Sequence, residues 1–216
     1  MKNTKKITLV GMFCAISYVV MVCGRIPIVL FLSYDPKDAI IAIGGFILGP
    51  LYAFVIATVV SCVEMMSVSD TGIIGCVMNI ISSCSFACTA SIIYKKKRGG
   101  SGAVIGLISG VFVMVSVMLM WNYFITPIYM GYPREAVKAL LLPAFLPFNA
   151  IKGGLNGTLT FLLYKPIFKA LKRANLFEKS VDIVESDKRN KMGYILLGVF
   201  VLVTCIYGGL ILKGIL

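Results

Sequence analysis

The sequence predicts an all-α polytopic membrane protein with a six-transmembrane-helix core, a seventh C-terminal transmembrane helix and a cytoplasmic N-terminus. Three observations predict it. Of 216 residues, 59% are hydrophobic and only 14% are charged, against about 25% charged in an ordinary soluble domain. The apolar residues fall into blocks of the roughly 17–25 residues that a bilayer-crossing helix needs. Lysine and arginine gather on alternate connections between those blocks.

The first span is Ile7–Gly24, behind Lys2, Lys5 and Lys6. No small-residue cleavage site follows it, so it reads as a retained helix and not as a signal peptide. Arg25–Asp38 contains Pro27 and Pro36 and reads as a loop. Ala39–Gly49 is apolar but short, a short or tilted helix ended by Pro50 and followed directly by Leu51–Ser67. Gly72–Tyr94, Ala103–Thr126 and Pro147–Leu171 complete the core. Lys172–Lys191 mixes both charges with serine and reads as a solvated linker before the span Met192–Leu212. The expected units are a core over 1–171, a linker over 172–191 and an added helix over 192–216.

Positive charge on cytoplasmic loops fixes the orientation. One side receives the N-terminal lysines, Lys95-Lys96-Lys97-Arg98 and the basic stretch from Lys165 to Lys191. The other receives Arg25, Lys37, Arg134 and Lys138, with Asp35, Asp38, Glu64, Asp70 and Glu135. The N-terminus is therefore expected inside, with the loops 25–38 and 127–146 outside. The net charge of +12 then reflects topology and contact with anionic membrane lipid. No surface combines basic and aromatic residues as a nucleic-acid site would.

Catalysis finds little to work with. There is no histidine among the residues, which removes the usual neutral-pH base and the commonest metal ligand. The seven cysteines sit in apolar spans without a Cys-x-x-Cys pair; Cys84 and Cys88, one turn apart, read as small residues packing inside a bundle. Gly99-Gly100-Ser101-Gly102 lacks the lysine of a phosphate-binding loop. No catalytic residue, metal site or cofactor is expected, and active transport would need an ATPase partner.

The candidate ligand site lies on the last core helix. Asn149, Lys152 and Asn156 are spaced three and four apart and share one helical face. A charged group within a bilayer costs roughly 2.5–3.5 kcal/mol on insertion scales, so Lys152 needs compensation. Either a ligand or an acid such as Glu64 can supply it. Asn122 and Asn79 bring further hydrogen-bonding groups that lipid cannot satisfy. For Asn79, contact between helices is an equal alternative. Trp121 and Tyr129 suit an interfacial aromatic belt or a stacking surface. Asn122, Asn149 and Lys152 all fall toward the outer leaflet. Amides, one cation and neighbouring aromatics together suit a planar, polar-edged, largely uncharged ligand. Gly11 and Ala15 place two small residues on one face of the first span, a pattern that lets helices approach closely.

Several segments together resemble the riboflavin-specific substrate-binding (S) subunit of energy-coupling factor transporters. They are Gly24-Arg25-Ile26-Pro27, Tyr34-Asp35-Pro36-Lys37-Asp38, the run Gly44–Pro50, Trp121-Asn122-Tyr123, Thr126–Met130 and the run Leu146–Gly154. The resemblance covers roughly Ile7–Arg173 and implies a function. Riboflavin would be bound from outside as transported substrate, in a cavity capped by the first and fifth loops. Asn122, Asn149 and Lys152 would read the isoalloxazine edge, Tyr34 and Asp35 would help close the site, and Asn79 would line it. Gly11 and Ala15 would dock on a transmembrane coupling subunit, and two cytoplasmic ATPase subunits would complete the complex in a bacterial plasma membrane. The subunit would topple in the membrane to release the vitamin inward. FMN is an alternative ligand, with Arg25, Lys37, Arg134 or Lys138 to meet its phosphate, as is another vitamin. A self-sufficient secondary transporter is a further alternative, and would need buried carboxylates.

Overall fold

The computed structural model describes residues 3–29, 32–69 and 71–174, together with positions 198, 201, 203 and 208. Helix α1 (Asn3–Gly24) leads into a hairpin of β1 (Ile26–Val29) and β2 (Leu32–Tyr34). There follow α2 (Lys37–Leu48), α3 (Pro50–Ser67), α4 (Gly72–Lys96) and α5 (Gly100–Met130). A short α6 (Arg134–Leu140) and a π-helical turn (Leu141–Phe145) lead into α7 (Leu146–Arg173). Among the described residues, five helical stretches are long and apolar enough to cross a membrane: Thr4–Gly24, Pro50–Ser67, Gly72–Lys96, Gly100–Tyr129 and Arg134–Arg173.

Helix α2 is the exception and the centre of the bundle. Its 12 residues span about 18 Å at 1.5 Å per residue, too short to cross. It is packed against α1, α3, α4 and α7, and every residue from Lys37 to Gly45 is buried. Being covered on all sides, it is apolar all round, where a surface helix would carry a stripe. Gly49 ends it at φ 109°, ψ 168°, a conformation that side-chain-bearing residues rarely adopt. Pro50 then starts α3 at a position where its missing N–H costs nothing.

Three expectations change. The loop 25–38 contains an antiparallel hairpin, pairing Ile26 with Tyr34, Pro27 with Ser33 and Val29 with Leu32. Its β-branched and aromatic residues favour extended backbone, and Pro27 is tolerated because a two-stranded ribbon has only edges. Lys37 and Asp38, expected in an outer loop, instead open α2 inside the bundle. The segment 127–146 is largely helical, since α5 continues through Pro127.

Asp70, most of the linker 172–191 and most of the span 192–212 lie outside the described residues. The described Gly198 stands beside Leu162, and Gly208 beside Ile151. On α1, Gly11 and Ala15 are exposed.

Candidate functional site

The polar face predicted on α7 turns toward the start of α2. Asn149, Lys152, Asn156 and Thr160 are all buried. Asn149 donates from Nδ2 to the carbonyl of Phe145 in the π turn at 2.8 Å. Asn156 donates from Nδ2 to the Asp35 carbonyl at 3.2 Å. Thr160 donates to the carbonyls of Asn156 at 2.6 Å and Ala39 at 3.4 Å. Asn156 thus fastens α7 to the chain entering α2.

Lys152 is compensated, but by acids other than Glu64. Its Nζ lies 3.8 Å from Asp35 Oδ2 and 3.7 Å from Asp38 Oδ2. Asp38 also accepts a hydrogen bond from Ser83 of α4. It sits in the first turn of α2, where the helix dipole favours negative charge. Glu64 of α3 instead takes Lys37 and, at 3.5 Å, Arg25. Lys37 also lies 3.8 Å from Asp35. Three cations and three anions therefore form one formally neutral, largely buried network joining the hairpin, α2, α3 and α7. The sequence suggests Glu64 as a partner for Lys152 but does not place Lys37 and Asp38, expected in an outer loop, in the network. The available signal was their charge at or beside apolar spans, which demands partners.

A recess of about 470 Å³, part of it open to solvent, lies over this network. Asn79, Asp35, Asn149 and Lys152 line it, with Arg25, Glu64 and Ser82 adding polarity and Met78, Met118 and Phe148 an apolar wall. Asp35 Oδ1 is buried there without a hydrogen-bond partner in the protein. A second recess of about 240 Å³ adjoins it, sharing Thr71 and Met78 and lined by Trp121 and Tyr129. The structure thus gathers Asn79, Asp35, Asn149 and Lys152 in one recess, with Trp121 and Tyr129 next door. Asn122 is fully buried on α5 and committed to its own helix: it donates to the Met118 carbonyl at 2.8 Å and accepts from Thr126 at 2.9 Å. Tyr34 is buried in β2, opposite Ile26 in the hairpin. Neither residue is part of the lining of the two recesses.

Asp35 has a pH consequence. Burial pushes its carboxyl up, but Lys152, Lys37 and Arg25 outweigh burial and hold it below the ordinary carboxylate value. A lowered folded-state pKa stabilises above the unfolded value, near pH 3.9, and that stability fades as pH falls through the folded value. Thermal unfolding of wild type and Asp35→Asn should therefore respond differently to acid. Between pH 7 and about 5 the gap between them should be constant, and it should shrink below about pH 4. A gap that does not change with pH would contradict this assignment.

A membrane helix bundle with a buried, charge-balanced recess at one end defines a membrane protein that binds a polar small molecule. The comparisons make this specific: the chain belongs to the family described as "ECF transporter, substrate-specific component", whose model matches residues 5–164. It is similar to the riboflavin transporter RibU of Staphylococcus aureus (strain TCH60), 29% identical over 183 residues covering 80% of this chain and 95% of that protein. It is also similar to the riboflavin transporter FmnP of Bacillus subtilis (strain 168), 27% identical over 190 residues covering 81% and 99%. A solved structure described as the S component of a bacterial ECF transporter superposes with a TM-score of 0.70 at 28% identity, covering 80% of this chain and all of the other.

Proposed function

We propose that this chain captures riboflavin in a bacterial cell membrane and, as the substrate-binding subunit of an energy-coupling factor transporter, delivers it inward with a coupling subunit and two ATPase subunits. The observation that carries the reading is the recess walled by Asn79, Asn149 and Lys152 with an unpartnered buried acceptor on Asp35. Isoalloxazine offers amide-like donors and acceptors along one edge and flat apolar faces elsewhere. The recess offers the complementary set, and both curated relatives are named riboflavin transporters.

Energetics support a functional role for the network. Replacing buried ion pairs by packed apolar residues is often neutral or stabilising, by about 1–4 kcal/mol. A bundle this apolar has no stability reason to keep six ionisable groups together. The uncharged vitamin is favoured over FMN because Arg25 and Lys37 are already paired with Glu64. A phosphate entering here would meet Asp35 and Glu64 as well. The riboflavin is cargo and not a cofactor, and the site is taken to face outward with the N-terminus inside.

The test is titration of purified protein with riboflavin. Saturable quenching of flavin fluorescence at submicromolar concentration, with FMN a weak competitor, is the expected result; folded protein that leaves the fluorescence unchanged would refute the proposal. Vesicle uptake separates the secondary-transporter alternative, since uptake without ATPase subunits would favour it.

Gly11 has nothing within 4 Å of the position a Cβ would take, so the face it shares with Ala15 is open to a partner helix. Gly11→Leu with Ala15→Leu should leave riboflavin affinity unchanged and abolish co-purification with the coupling subunit. Full complex formation by that double variant would remove this face from the docking model.

A further inference from the structure

We infer that Glu64 is a positioning residue of the recess: it holds both feet of the β-hairpin, and the residence time of a bound ligand depends on it. The inference rests on the riboflavin reading and extends it to a residue outside the expected ligand set.

Arg25 immediately precedes β1, and Lys37 follows β2 by three residues. Both are cations, and both meet the same carboxylate on α3. Arg25 Nη1 lies 3.5 Å from Glu64 Oε1, while Lys37 Nζ donates to Glu64 Oε2. One oxygen serves each foot. Arg25 Nη1 also donates to the Val68 carbonyl at 3.4 Å, one turn further along the same side of the bundle. Glu64 is 2% exposed and Lys37 0%, so water replaces neither partner.

The segment between the feet carries Leu32, Ser33 and Asp35, all lining the recess. Toward α7 the segment is held by Leu32, which packs with Val137, Phe145 and Phe148, and by Asp35, which meets Asn156 and Lys152. The ionic tie to Glu64 holds this wall to α3, a second direction that the α7 contacts do not cover. It also reaches Lys152 indirectly, because Lys37 and Lys152 share the Oδ2 atom of Asp35. Without Glu64, buried Lys37 would draw Asp35 away from Lys152. Glutamine keeps the shape of Glu64 but only one acceptor and no charge. Aspartate keeps the charge but is one methylene too short to reach both feet.

The experiment uses the full chain in lipid nanodiscs. Dissociation of tritiated riboflavin is followed after a chase with unlabelled riboflavin, and amide hydrogen exchange of residues 26–29 and 32–35 is followed without ligand. In Glu64→Gln, breaking a buried ion pair should speed dissociation about tenfold or more. Association rate and the absorption spectrum of bound flavin should stay as in wild type. The hairpin amides should exchange faster while α4 and α5 do not, and Glu64→Asp should fall between. Unchanged dissociation and exchange would overturn the inference. So would loss confined to association with an altered flavin spectrum, which would make Glu64 a ligand contact. Should Glu64→Gln not fold, Arg25→Gln at the partly exposed foot must still raise hairpin exchange, and no rise there overturns the inference equally. Failure of wild type to bind riboflavin would refute the proposed function, while the exchange measurement would still decide the role of Glu64.

Discussion

Lys152→Met is expected to weaken riboflavin capture and to destabilise the protein. The ammonium of Lys152 lies between Asp35 and Asp38 at 3.8 and 3.7 Å, and Lys152 is only 6% exposed. Removing one member of a buried ion pair costs about 3–5 kcal/mol, because the partner charge stays behind without compensation. Here two carboxylates are affected, although Lys37 still faces Asp35. Loss of the proposed charge-assisted hydrogen bond to riboflavin would cost binding about 1.5–3 kcal/mol. The contact alone predicts binding weakened about tenfold to a hundredfold, separate from the loss of stability. A double variant separates the two effects. Lys152→Met with Asp38→Asn restores the charge balance and should recover much of the melting temperature, but it should not recover flavin quenching. Riboflavin binding by Lys152→Met within about twofold of wild type would remove Lys152 from the site.

Gly106→Leu is expected to prevent recovery of folded protein. Helices α4 and α5 approach along Gly106 and Gly110 of α5. A Cβ at Gly106 would sit 2.7 Å from the Ala90 carbonyl oxygen, and one at Gly110 would sit 2.7 Å from that of Phe86. Both obstacles are backbone, so no rotamer change relieves them and the helices must separate. In a bilayer, helix association depends on close packing of small residues, because lipid is as apolar as a leucine side chain. Even alanine should cost about 1–3 kcal/mol at either position, the usual range for overpacking. Leucine would pry the pair apart over a full turn. Gly157→Ala is the control, since its Cβ would meet Val111 at an ordinary 3.7 Å. Size-exclusion profiles and thermal melts in detergent check both, and a monodisperse, wild-type-like Gly106→Leu would show that this approach is not required.

The membrane class and most spans were legible because their signal is local. Long apolar runs with basic ends declare themselves without knowledge of any neighbour, and α3, α4 and α7 begin and end close to where the sequence places them. The polar face of α7 was legible for the same reason: the spacing of Asn149, Lys152 and Asn156 fixes a common side whatever they face. The hairpin was not, because Arg25–Asp38 carries two prolines and reads as loop, while its strands gain stability from pairing with each other and from Leu32 seated on Phe145 and Phe148.

The members of the charge network illustrate the remaining gap. Lys37, Asp38 and Glu64 are polar residues at or beside apolar segments, and a sequence offers two outlets for such groups: water at the membrane surface or partners within the bundle. Choosing requires knowing that α2 is short, central and covered by α1, α3, α4 and α7. Asn122 shows the converse. Its polarity marks it as a ligand contact, and in the folded helix one amide N–H goes to Met118 and the oxygen also accepts from Thr126, partners that its place in the sequence does not announce.

By itself the sequence determined that this chain lives in a membrane, where most of its long apolar helices lie, and that Lys152 with its asparagine neighbours must be compensated there. Hydrophobic length and side-chain period are properties of one segment, so they survive without a fold. Only the tertiary structure decided what compensates Lys152 and which residues share its recess. Ion pairing between α7 and the start of α2, more than a hundred residues apart, is set by how the helices pack. No local pattern encodes that.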